Sequence, residues 1–149
     1  IMKDLEYGKL REKITVYFLN KNIYTADPLI LYENQKKQVD FRNNEMIGEL
    51  KSRTFQHDKY QTTFFGYNKI EYLLKENDKR VWKFYFLFTD GLYVWTYNED
   101  QFEVRDYEHR ERGFIKQVYI DIKYLEKLTS LITSNSSLPA DWKDFVNQM

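Results

Sequence analysis

Between Val81 and Tyr97 the chain reads VWKFYFLFTDGLYVWTY. Its two arms, VWKFYFLF and LYVWTY, are aromatic or aliphatic at nearly every position. Asp90-Gly91 between them is the dipeptide best suited to a two-residue hairpin turn. A strand with one wet face alternates apolar and polar side chains, whereas a strand without a polar face must be covered on both sides. This hairpin therefore predicts central strands, and a fold in which helices cover both faces of a mixed sheet.

The rest of the chain offers those helices. Leu5, Leu10, Ile14 and Tyr17/Phe18 recur at helical spacing, which predicts a helix over Lys3 to Asn20. Asn20 to Pro28 reads as a connection and Leu29 to Tyr32 as a short strand. Gln38 to Arg42 and Glu45 to Arg53 read as two strands joined at Asn43-Asn44, since asparagine tolerates the positive φ of tight turns. His57-Asp58 offers a cap for a helix over Lys59 to Lys75, marked by Tyr60, Phe64, Tyr67, Ile70 and Leu74. Gly66 sits inside that span at a cost of about 1 kcal/mol relative to alanine. Gln101 to Arg105 and Phe114 to Ile122 read as strands separated by the charged loop DYEHRERG. Leu125, Leu128 and Ile132 predict a helix over Tyr124 to Thr133. A break at Asn135 to Pro139 precedes a last helical turn over Asp141 to Val146, with Trp142 and Phe145 docking on the body. A length of 149 residues suits one domain spanning 1–149.

Bulk charge narrows the function classes. Lys and Arg number 23, as do Asp and Glu, so no overall field draws in nucleic acid or an anionic membrane. Any such binding must come from local clustering. There is no cysteine, which removes disulfides and thiolate metal sites and fits an intracellular protein, cytoplasmic or nuclear. No apolar run reaches the roughly 18 residues that span a bilayer, and no signal segment opens the chain. Ile1-Met2 reads as a scar ahead of a natural Met2.

The run QVDFRNNEMIGELKSR places charges where sheet residues should pack. With Asn43-Asn44 as a two-residue turn, Asp40 faces Ile47 and lies diagonal to Glu49, at roughly 7–8 Å between Cα atoms. Ile47, Glu49, Lys51 and Arg53 share one side of their strand, and Asp40 lies on that side too. Two carboxylates and an ammonium thus converge. Hard carboxylate oxygens suit Mg²⁺ or Mn²⁺, with the Leu50 carbonyl as a further candidate ligand. Such an ion stabilises charge on a phosphoryl oxygen and acidifies its water, while Lys51 can orient that water. The bland alternative is a solvated strand face.

Asp40-x8-Glu49-x-Lys51, on a hairpin between two helices, resembles the PD-(D/E)xK nuclease superfamily. The likeness in element order covers Lys3 to Phe88. It implies a three-layer α/β/α, restriction-endonuclease-like fold with a mixed sheet flanked by helices. It further implies that Asp40 and Glu49 bind a divalent metal and that Lys51 assists attack of water on a phosphodiester. A glutamate from the first helix joins the metal in many members; Glu6 and Glu12 are the candidates, and Glu6, at the edge of the apolar stripe, is preferred. Val39 stands where the motif has proline, and the Gln-x-x-x-Tyr signature of one branch is absent, Gln61 being followed by Tyr67. GYNKIEYLL and DGLYVW also resemble parts of small proteins of large DNA viruses.

The activity implied is a metal-dependent endonuclease on DNA, structure-selective, nicking or restriction-type, and a homodimer would allow cuts on both strands. The alternatives are a non-catalytic nucleic-acid-binding or assembly module of the same fold, and a ligand-binding protein whose aromatic hairpin lines a pocket.

Other residues fall around this centre. Arg53 and Lys69 are candidates to hold phosphate, and Gln61 and Thr62 to touch the substrate backbone. In RDYEHRERGFIK, Arg105, Arg110, Arg112 and Lys116 are offset by Asp106, Glu108 and Glu111, which predicts a solvated loop; Tyr107 is placed to stack on a base. His57 and His109 stand alone, so no zinc site is expected.

Overall fold

The computed structural model describes residues 4–32 and 39–142. Helix α1 spans Asp4–Asn22 and helix α2 spans Asn68–Lys75. The strands are β1 (Ile30–Leu31), β2 (Phe41–Arg42), β3 (Met46–Ser52), β4 (Thr62–Gly66), β5 (Val81–Phe88), β6 (Gly91–Thr96), β7 (Phe102–His109), β8 (Gly113–Asp121) and β9 (Glu126–Thr129). Six strands form one mixed sheet in the order β1-β2-β3-β5-β6-β9, and β4-β8-β7 form a second, antiparallel sheet. Within the larger sheet β3 and β5 run parallel, and all other neighbours run antiparallel. The protein is thus a mixed α/β fold.

The aromatic hairpin lies in the larger sheet with β5 and β6 paired from Lys83↔Thr96 to Phe88↔Gly91. Its side chains divide as the alternation of a strand requires. Phe84, Phe86 and Phe88 join one buried cluster with Ile70 and Leu73 of α2 and Phe65, Val118 and Ile120 of the second sheet. Tyr85 and Leu87 join another with Val16 and Leu19 of α1, Phe41 and Met46. Covering on both sides, which the lack of a polar face demanded, is what the structure has. Its turn is Thr89-Asp90, one residue earlier than expected, because Gly91 is already paired with Phe88. Gly91 has a φ of 148°, and a Cβ there would meet the Thr129 carbonyl oxygen at 2.4 Å.

Several expected elements differ. The helix predicted over Lys59 to Lys75 is a strand followed by a short helix, and Gly66 ends the strand. Thr62, Thr63, Phe64 and Phe65 are β-branched or aromatic, and their burial alternates, with Thr63 and Phe65 inward against β8. The charged loop after Arg105 is mostly strand: β7 continues to His109, with Asp106 opposite Lys116 and Arg105 opposite Gln117. Its charges form the solvated face of a two-stranded ribbon. The helix predicted over Tyr124 to Thr133 is a 3₁₀ turn, Ile122–Tyr124, and edge strand β9. Leu125 packs into the α2-side cluster, whereas Leu128 and Ile132 pack into the α1-side cluster, so one apparent helical stripe serves two sides of a sheet. Trp142 packs on the α1-side cluster as expected. Lys3, Gln38 and the segment 143–149, including Phe145, lie outside the described residues. Among the described residues no helix is long and apolar enough to cross a membrane.

Candidate active site

The β2–β3 hairpin is closed by a side chain. Asn43 Oδ1 accepts from the amides of Glu45 (3.0 Å) and Met46 (2.7 Å), and its Nδ2 donates to the Asp27 carbonyl at 2.9 Å. The two-residue turn is therefore Asn44-Glu45, and the register is Phe41↔Gly48 and Arg42↔Ile47. That register differs by two residues from the one expected. A two-residue slip keeps the side chains of β2 and β3 on their own sides. It also brings Asp40 alongside Glu49: the Asp40 amide donates to the Gly48 carbonyl at 3.0 Å.

Asp40 lies where β2 gives out. The Leu50 amide donates to Asp40 Oδ2 at 2.7 Å, so a side chain takes the place of a ladder carbonyl. Glu12 of α1 stands close enough to Asp40 to help raise its carboxyl. Glu12, not Glu6, is thus the helix carboxyl that reaches the site; Glu6 is exposed. Burial, then the Glu12 hydrogen bond and charge, push Asp40 up to about 8, against the Leu50 amide and Lys51.

Glu49 is the buried member, with its side chain 3% exposed. Its Oε1 lies 3.1 Å from Lys51 Nζ and 3.4 Å from Lys69 Nζ. Its Oε2 is buried with no hydrogen-bond partner. Burial raises Glu49 to about 7; Lys51 and Lys69 lower it, and the charge of Asp40 raises it. Lys69, expected to hold phosphate, instead brings α2 onto β3. Lys51 is 34% exposed and Lys69 19%, so Lys51 is the ammonium more open to solvent.

The donor set suits a hard divalent ion. Among the described residues no three of His, Cys, Asp and Glu stand gathered as a ready chelate. Glu49 Oε2 is nevertheless an oxygen without a partner, and the proton that burial keeps on Asp40 is one that a cation would displace. Both observations fit Mg²⁺ or Mn²⁺ held by few protein oxygens.

No protein-family model matches the chain, and no curated protein matches it.

The remaining candidates separate. Gln61 is committed, its Nε2 donating to both carboxylate oxygens of Asp121 at 3.0 Å. Arg53 follows β3, its amide bonded to the Leu87 carbonyl at 2.9 Å. Its guanidinium donates to the carbonyls of Phe64 (2.5 Å) and Ser52 (3.4 Å) and has no carboxylate partner among the described residues. Arg53 lines a cleft of about 520 Å³ with Phe55, His57, Tyr60, Thr62 and Phe64, among others. His57 is no helix start: its ring stacks on Tyr93 at 4.6 Å, and Nδ1 meets Asp90 Oδ2 at 2.5 Å. Reading 62–66 at period two would have revealed this cleft, because it turns Phe64 outward beside Arg53.

Proposed function

We propose that the chain is a metal-dependent endonuclease that hydrolyses DNA phosphodiester bonds, built as a three-layer α/β/α fold of the restriction-endonuclease-like kind. The observation that carries this reading is Glu49: a buried carboxylate bracketed by Lys51 and Lys69, with one oxygen unpartnered, beside the Asp40–Glu12 pair. A sheet needing only solubility would leave these charges in water rather than bury them against one another.

Asp40, Glu49 and Glu12, with the Leu50 carbonyl, would hold Mg²⁺ or Mn²⁺. When bound, the ion supplies charge stabilisation at a phosphoryl oxygen and an acidified water. Lys51, the more exposed ammonium, orients the attacking water and faces the charge that develops on the phosphate. Lys69 holds Glu49 ionised and fixed in place. The Leu50 amide orients the Asp40 carboxylate. A homodimer would deliver such a centre to each strand of a duplex.

The test is incubation with supercoiled circular and branched DNA in Mg²⁺, Mn²⁺ or EDTA, beside Lys51→Ala. Cleavage that needs the metal and is lost in the variant is expected. Binding without cleavage would replace this reading with a non-catalytic module. No action on DNA, and no binding, would remove both.

A further inference from the structure

We infer that the cleft beside Arg53 receives an unstacked base of single-stranded DNA next to the bond being cut. The inference rests on the nuclease reading for the identity of its ligand, and on the cleft itself for the single strand.

The cleft is walled by aromatic rings from two parts of the fold. Phe55 and Tyr60 come from the segment after β3 and meet edge to face at 5.2 Å. Phe64 of β4 and Tyr119 of β8 lie 5.6 Å apart. Tyr60 and Phe64 are 54% and 41% exposed, so their rings are offered to solvent rather than used up in the core. At about 520 Å³ the space is in the range of small-molecule sites. Stacking on such rings is tolerant of sequence because every base has a π face.

Two cations stand at the cleft. Arg53 has five N–H donors and spends only part of them on two carbonyls. Lys59 Nζ lies 5.6 Å from the Phe55 ring centroid and 5.5 Å from that of Tyr60. An Arg without a carboxylate partner beside exposed rings is suited to a phosphodiester whose base stacks. Arg53 follows Lys51 by two residues along an extended segment, roughly 7 Å between Cα atoms at the rise of a strand. The backbone that holds the cutting centre thus leads directly to the cleft. A base within a paired duplex is already stacked on both faces and cannot enter; a base in a single strand, flap or junction can.

The experiment measures anisotropy of a fluorescein-labelled single-stranded oligodeoxynucleotide, and of the same strand in a duplex, in EDTA so that no cleavage intervenes. The single strand is expected to bind the more tightly. Tyr60→Ala and Phe64→Ala should each weaken it by roughly 10- to 100-fold, leaving duplex binding unchanged. An abasic residue moved along the strand should reproduce that loss at one position with the unaltered protein, which guards against a variant that misfolds. Equal binding of strand and duplex, or a flat abasic scan, overturns the inference. Metal-dependent cleavage without any strand preference removes the cleft's role alone. Strand-selective binding without cleavage in any metal removes the nuclease reading and leaves the cleft assigned.

Discussion

Lys69 of α2 reaches across to Glu49 of β3, Nζ to Oε1 at 3.4 Å. The contact ties the crossover helix to the strand that carries the candidate centre. Lys69→Ala removes one of two cations from a buried carboxylate and should lower stability by about 1–2 kcal/mol at pH 8.5, less than for a fully stripped pair because Lys51 stays. Glu49, raised to about 7, is mostly protonated at pH 5.5, so the loss should shrink there. Urea unfolding in EDTA measures this, with Lys69→Ala/Glu49→Gln closing the cycle. An equal loss at both pH values would show that the contact is packing, not charge.

Asp40 governs a second pH dependence. Its carboxyl is raised to about 8 in the folded protein, from an unfolded value near 4. The folded state therefore holds the proton that the unfolded state releases. The associated stability is full below about pH 4 and is lost as pH rises through 8. In EDTA, the unfolding free energy should fall on the order of 2 kcal/mol between pH 6 and pH 9, and Asp40→Asn should flatten that slope. Added Mn²⁺ should restore stability at pH 9 by mass action.

Asp40, raised to about 8, holds its proton at pH 7, which makes metal binding there a proton-releasing event. Calorimetric titration of Mn²⁺ at pH 7 in two buffers of different ionisation enthalpy should give different apparent heats. Glu12→Gln should shrink that difference and weaken binding roughly tenfold, as loss of a metal's supporting group does. Glu6→Gln should change neither. If Glu6→Gln weakens binding as much, the assignment of the helix carboxyl is wrong.

Gly48 is tightly enclosed. A Cβ there would meet the Lys83 carbonyl oxygen and Phe41 Cε2, both at 2.9 Å, and Met46 Sδ at 3.1 Å. Two neighbours are flexible but the carbonyl belongs to the β3–β5 ladder. Gly48→Ala should cost about 1–3 kcal/mol in urea unfolding and displace Glu49, weakening Mn²⁺ binding with it. Unchanged stability would mean that β3 can yield at this point.

The sheet centre was legible because the aromatic hairpin leaves no polar face, and that constraint is local. The pairing of Glu49 with Lys51 was legible because residues two apart on a strand share a side. What failed was non-local. Residues 62–66 read as helix because Tyr60, Phe64 and Tyr67 fit its period, and only β8, far along the chain, makes them a strand. Leu125, Leu128 and Ile132 failed likewise, since an edge strand and its flanks can present an apolar set at helical spacing while serving two sides of a sheet. The choice between Glu6 and Glu12 needed the position of α1 over Asp40, which no spacing within α1 contains.

The parallel pairing of β3 with β5 has a consequence for the making of this protein. A nascent chain that has emerged only as far as α2 carries Asp40, Glu49, Lys51 and Lys69, but lacks the strand against which Glu49 is seated. On the proposed reading, the seat of Glu49 is complete only once the chain has been made as far as Phe88, the end of β5.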